Sequence, residues 1–355
     1  DRSPSRGLGD VYKRQDKERA MIDVNVDISG IVMYCDESVL NLNIGHGYIL
    51  SKKYLRDIPF RDKITDARGN LNIEYMGSCL TDEGGKFFIC LNKHDNFQIE
   101  GIHIEPNVPT PISGPMCREQ LEPYQEKEMS YLYKVFSLLH LFQQGNIGFC
   151  NVFFDYSYKT LGIMNNAVHS NSHSRSRNIV DQRKYTLTPD GIIACNQFLS
   201  DYSEDPFCLL KPSIDEFVWG IEQIDVPTGF EQYTTALEMT LLEKNTEGKK
   251  QKLANRVAVL LGTSPTDVAK IHEEMLKFYR FRSESLHEGD GTNISKTELH
   301  CLEEYARRVL EKCLIRCKTE LANDGGAVWS EIKGRLVDDL KNEVIAAKGA
   351  GTLPA

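Results

Sequence analysis

The chain has 355 residues, 41% hydrophobic and 26% charged, with 42 Lys plus Arg against 51 Asp plus Glu for a net charge of −9. That length can bury more than one core, so two or more domains are expected. The acidic balance excludes nucleic-acid binding through an overall positive field, though not through a local cleft. No run reaches the roughly 18 apolar residues of a membrane helix, so no membrane partner is expected. The ten cysteines (35, 79, 90, 117, 150, 195, 208, 301, 313 and 317) are spread along the whole length, without the density of a disulfide scaffold. With no secretory signal visible, reduced thiols and a cytoplasmic location are the expectation.

Residues 1–15, DRSPSRGLGDVYKRQ, have neither an apolar segment nor a periodicity. The string resembles translated sequencing-adapter read-through and is set aside from fold reasoning as non-native. On that reading the native N-terminus is missing.

From residue 16 to 110 a β-rich domain is expected. Ile22, Val24, Val26 and Ile28 alternate with polar residues, as do Leu40, Leu42 and Ile44, while Phe87–Leu91 is a short apolar run and Ile102 and Ile104 alternate again. Asp66-Ala-Arg-Gly-Asn70 and Asp82-Glu-Gly-Gly85 separate these runs as turns. The segment 105–115 carries four prolines and is the candidate linker.

A mixed α/β central region is expected over 111–225. Met129, Leu132, Phe136, Leu139 and Phe142 mark a helix ending at Gly145, and Phe149–Tyr156 reads as a strand. The Ser-rich stretch 167–178 reads as a loop, and mixed structure follows around Gly191–Leu199 and Phe217–Ile224.

From 226 to 347 the pattern becomes helical. Phe230, Tyr233, Leu237 and Leu241 give one stripe; Leu253, Val257, Leu260 and Leu261 give the next, stopped by Gly262. Thr263 or Ser264 with Pro265 starts a third helix carrying Val268, Ile271, Met275, Phe278 and Tyr279. EGDGTN (288–293) breaks the pattern. Ser295 with Glu298 spells a capping box for a fourth helix, striped by Leu302, Tyr305, Val309 and Cys313, and Trp329–Ala347 forms a fifth. The fold class is therefore α+β, with an all-α C-terminal bundle.

The constellation that points to chemistry is Arg282-Ser-Glu-Ser-Leu-His287. On an ideal helix a separation of five places the two side chains about 140° apart. They converge only if the helix ends between them or a second chain completes the site, and the breaker after His287 makes the first arrangement the expected one. The plain structural reading is that an arginine and a histidine near a helix end meet the last carbonyls and the helix dipole.

Residues 229–317 resemble a HEPN domain of the ApeA-like type, found in prokaryotic anti-phage and toxin-type proteins. The resemblance rests on an arginine followed by a polar residue and then a histidine four to six positions on, met by Arg282, Ser283 and His287, with Arg280 at the outer spacing. It rests also on the opening FEQYTTALEMTLLE with Glu238, and on KLANRVAVLLG with Asn255 and Arg256. It implies metal-independent RNA cleavage across a homodimer interface of the C-terminal helices, in which the ribose 2′-hydroxyl attacks its own phosphodiester and leaves a 2′,3′-cyclic phosphate. No cofactor and no metal are called for. Histidine can exchange a proton near neutral pH. Arginine stays charged and can hold the phosphate as negative charge grows. Ser283 would orient either group. Glu238 could orient Arg282, but a structural ion pair with Arg256 is the favoured role for both. The biological role implied is antiviral growth arrest, with 16–225 sensing an unknown trigger. The alternative is a non-catalytic dimerising module whose β domain binds a ligand or a protein.

Residues 231–320 hold 15 Lys plus Arg and 15 Asp plus Glu, so a generic basic RNA footprint is missing. Arg280, Arg282, Arg307, Arg308 and Arg316 could still cluster. His169 and His173 have ligand spacing but no acidic partner, and the basic run around Arg175, Arg177, Arg183 and Lys184 reads as a solvated loop. Cys313 and Cys317 read as buried small hydrophobes.

Overall fold

The computed structural model describes residues 21–100, 115–160, 163–172, 183–202, 205–244, 246–288 and 294–354. The expectations for residues 1–15, for Ile102 and Ile104, and for the proline-rich stretch up to 114 lie outside the described residues. The architecture is α+β, with an antiparallel sheet followed by a predominantly helical C-terminal part.

Six strands form the sheet: β1 (Met21–Met33), β2 (Ile49–Tyr54), β3 (Leu80–Asp82), β4 (Gly85–Glu100), β5 (Gly148–Thr160) and β6 (Ile163–Ser172). Their order is β2-β4-β1-β5-β6, with β3 pairing at the edge of β4. Strand β1 lies at the centre because its alternation supplies two distinct faces. Val24, Val26 and Ile28 point to the main core, while Asp23, Asn25 and Asp27 point away. Register fixes the rows: Asp27 pairs His94 on β4 and Asp155 on β5, and Ser29 pairs Asn92 and Phe153. The β1–β5 register shifts after Gly30, where a Cβ would come within 2.9 Å of the Asn151 carbonyl oxygen. Glycine permits that approach.

Two expectations, one from alternation and one from composition, fail here. Leu40, Leu42 and Ile44 belong to no strand: residues Glu37–Asn41 form a 3-10 helix capped by Asp36, whose side chain accepts from Ser38 N. An N-cap aspartate outweighed a weak period of two. The stretch 167–172, expected as loop, is the second half of β6, paired from Asn151 to Tyr156 on β5. Backbone pairing with a long neighbouring strand overrides its polar composition; residues 173–178 lie outside the description.

The inner face of the sheet packs on α2 (Pro115–Phe142), which begins well before its apolar stripe, through Leu121, Leu132, Val135 and Leu139. The outer face is capped at one end by a smaller cluster, in which Ile58, Phe60 and Ile64 of the segment around α1 (Arg61–Ile64) meet Ile31, Phe88, Cys90 and Phe153. The regions expected as mixed are helices α3 (Pro189–Tyr202) and α4 (Asp205–Ile221).

Helices α5 (Val226–Leu241), α6 (Lys249–Leu261), α7 (Pro265–Glu288), α8 (Lys296–Asn323) and α9 (Trp329–Gly349) complete the chain. The stripes expected for them face the core: Phe230, Leu237, Leu253, Val257, Leu302 and Val309 are all at or below 1% exposure, while Leu260, Val268 and Tyr279 are half-buried. Ser295 and Glu298 form the reciprocal capping box at the start of α8. Helices α4 and α5 approach closely at Gly220, where a Cβ would meet the Tyr233 ring at 2.6 Å. The main core is continuous from Val24 to Leu340. Arg307 of α8 donates to the carbonyls of Leu141 and Phe142 at the end of α2, and Arg183 pairs with the buried Glu303 at 2.5 Å. These bonds satisfy carbonyls that a helix end leaves open and tie the sheet region to α8.

Candidate functional site

Helix α7 starts where Asp267 reaches back to accept from Thr263 N at 3.0 Å and the Ser264 hydroxyl accepts from Asp267 N. It continues without interruption to Glu288. The expected break between Arg282 and His287 is therefore corrected. The stretch Arg282–Glu288 contains neither Gly nor Pro, and the first glycine stands at 289, so nothing local ends the helix sooner. At 100° per residue, positions 282 and 287 stand about 140° apart on this helix. Positions 280, 283 and 287 fall instead on one stripe, at i, i+3 and i+7. Arg280 and Ser283 are both exposed.

Arg282 faces the other way, toward α5. Its Nη1 donates to Glu238 Oε1 at 2.8 Å, and both side chains are mostly buried, at 18% and 14% exposure. Tyr279, one turn earlier, places its ring 5.6 Å from the guanidinium carbon, with its hydroxyl 3.5 Å from Nη1. Burial and the neighbouring Glu238 carboxylate push the Tyr279 phenol above its ordinary value. Lys249 at the start of α6 stands 3.8 Å from the other Glu238 oxygen. The buried Arg282 Nε finds no hydrogen-bond acceptor among the described residues. Among the described residues the guanidinium is thus held by one carboxylate and one ring.

Glu238 consequently does not pair with Arg256. Arg256, at 4% exposure, donates to the Leu241 carbonyl and pairs with Glu243 at 2.7 Å. The reason lies in which helix each residue meets. Glu238 projects from α5 toward α7, whereas Arg256 of α6 meets the chain where α5 ends. Asn255 beside it is buried and accepts from Gln251. Sequence reasoning placed Tyr279 only in the apolar stripe and passed over Lys249. The i, i+3 spacing of Tyr279 and Arg282 was the available signal for the first.

The remaining arginines do not gather around Arg282. Arg307 also pairs with Glu304, Arg308 donates to the Leu261 carbonyl, and Arg316 pairs with Glu320 and Asp339. His169 lies on β6 opposite Phe154, and His173, Arg175 and Arg177 fall outside the described residues. Cys313 and Cys317 are buried, and burial raises both thiols. Among the described residues no group of three or more His, Cys, Asp or Glu could hold a metal, and no described helix is long and apolar enough to cross a membrane.

No family model, curated protein or solved structure matches this chain.

Proposed function

We propose that the chain is a HEPN-type, metal-independent endoribonuclease that works as a homodimer, with Arg282 and His287 as its principal pair. The observation that carries the reading is the fixed guanidinium: Arg282 is held 2.8 Å from Glu238 on a neighbouring helix. A preorganised cation in a partly dry setting stabilises developing phosphate charge without reorganising at the moment of reaction. Because positions 282 and 287 point about 140° apart on one helix, a two-fold related copy must bring its own α7 to complete the constellation.

In this scheme a histidine takes the proton from the ribose 2′-hydroxyl, whose oxygen attacks the adjacent phosphorus. The P–O5′ bond breaks, the leaving oxygen takes up a proton from solvent, and a 2′,3′-cyclic phosphate remains. Ser283, on the same stripe as position 287, orients the phosphate or the ring. Within the same reading, one observation favours a different division of labour. Arg280 and Ser283 are exposed and share a stripe with position 287, so Arg280 would hold the phosphate while Arg282 only positions α7. The trigger sensed by 16–225, the role in defence and a cytoplasmic site of action belong to the same proposal.

The test is growth of cells expressing the wild type beside Arg280→Ala, Arg282→Ala and His287→Ala at equal levels, with total RNA examined in each culture. Growth arrest with RNA fragments, abolished by His287→Ala and Arg282→Ala, supports the reading. Loss with Arg280→Ala instead of Arg282→Ala moves the phosphate contact to Arg280. Intact RNA in every culture, and with residues 226–355 expressed alone, sinks the nuclease and leaves a dimerising binding module.

A further inference from the structure

The outer face of the sheet holds a cleft of about 670 Å³ between strands β2, β4, β1 and β5 and the overhanging segment that carries Pro59, Phe60 and Lys63. Register lays out its floor in rows. Ile49, Asn92, Ser29 and Phe153 form one straight row across four strands, and His94, Asp27 and Asp155 form the next on the open side. On the other side Ser51 and Lys53 of β2 complete the lining.

The chemistry of the cleft is split. Lys53 and Lys63 supply positive charge, and neither is ion-paired with a described residue. Lys63 stands 5.1 Å from the centre of the Phe153 ring, which in turn packs on Phe60 at 4.9 Å between ring centres. The row next to Phe153, at the end of the cleft away from Lys53, carries two carboxylates: Asp27, joined to His94 Nδ1 at 2.8 Å, and Asp155, which has no hydrogen-bond or ion-pair partner among the described side chains. Asn92 is fixed between them, donating to the Ser51 hydroxyl at 2.8 Å and to the Cys90 carbonyl. Lysines without an ion-pair partner, an aromatic floor and a carboxylate, Asp155, without a described partner converging on one concavity are the features of a ligand site.

We infer that this cleft binds a nucleotide whose base presents N–H donors, with phosphate at Lys53 and Lys63, the sugar over Phe60 and Phe153, and the base edge at Asp155 and Asp27. The polarity follows from the charges. A phosphate accepts hydrogen bonds and is drawn to the lysines. A carboxylate only accepts, so its end of the cleft selects a donor edge. Guanine, with adjacent ring N–H and amino donors, can meet one carboxylate with two bonds, whereas uracil offers a single N–H. The cleft therefore ranks guanine nucleotides above uracil ones. The inference stands apart from the nuclease reading, because the sheet residues named here take no part in it.

The test is calorimetric titration of the full chain with guanosine monophosphate, uridine monophosphate and inorganic phosphate, for the wild type, Lys53→Ala/Lys63→Ala and Asp155→Asn. Circular dichroism confirms that each variant is folded. Guanosine monophosphate should bind, and the double lysine variant should weaken it by about tenfold to a hundredfold, the loss of charge-assisted bonds. Asp155→Asn should weaken the guanine nucleotide by about tenfold and erase its preference over the uracil one. Absence of heat with guanosine monophosphate up to about 1 mM in the folded wild type overturns the inference. So does binding that the lysine variants leave unchanged, or that Asp155→Asn leaves with its base preference intact.

Discussion

Arg282 of α7 and Glu238 of α5 stand 2.8 Å apart, both mostly buried, and this pair joins the third C-terminal helix to the first. Removing one partner leaves the other charge desolvated and uncompensated, which costs more than the pair itself contributes. Glu238→Gln should therefore lower stability by about 2 kcal/mol in urea unfolding. A double-mutant cycle with Arg282→Gln should return a coupling of about 1 kcal/mol or more, and additive effects would show that the contact carries no energy.

The Arg256–Glu243 pair makes a prediction about pH. The hydrogen bond from the Arg256 guanidinium lowers the Glu243 carboxyl from 4.5 to about 2. Its folded value is depressed, so the unfolded state binds a proton first as pH falls. The stabilisation is fully present above about pH 4.5 and is lost as pH falls toward 2. Thermal melts of Glu243→Gln should fall less steeply between neutrality and acid than those of the wild type. Parallel curves would contradict the pairing.

Phe230 lies at the centre of the helical core, fully buried, with its ring edge-on to Phe278 at 5.6 Å between centres. Phe230→Ala should cost about 3–5 kcal/mol, since the helices around it can collapse only in part. Ser295→Ala should cost about 1 kcal/mol, because it breaks one half of the α8 capping box. Denaturant midpoints compared at equal slope check both.

What the sequence disclosed follows the strength of its local signals. Helices α5 to α8 were legible because each carries a sustained stripe, and three have an explicit stop or start: Gly262, Pro265, the Ser295–Glu298 box. Strand β1 was legible through Val24, Val26 and Ile28. By contrast, β6 was hidden, since Asn165, Asn166 and Ser170 have no apolar period and are held by pairing with β5. Leu40 and Leu42 misled in the opposite sense, because the Asp36 cap is a one-residue signal that alternation obscured.

The site was legible as residue types and not as contacts. Arg282, His287 and Glu238 were singled out, yet Glu238 was matched with Arg256, an equally good partner by charge. Only the placement of α5 against α7 decides between two buried arginines, and that is a long-range property. The breaker at 288–293 stands where α7 ends, and only the option of an earlier end between Arg282 and His287 fails, since neither Gly nor Pro lies there.

The central claim is a composite site, in which one copy supplies Arg282 and another supplies His287. The direct measurement is cleavage of a defined RNA by the purified full chain in EDTA, following 2′,3′-cyclic phosphate ends, with Arg282→Ala and His287→Ala assayed singly and after mixing. Each variant alone should lose at least about a hundredfold of the wild-type rate, the usual cost of removing such a group. Refolded together in equal amounts, they should recover about a quarter of it, because half of randomly paired dimers would hold one intact site of two. A mixture as inactive as its components, or a wild type that makes no cyclic phosphate, would contradict the account.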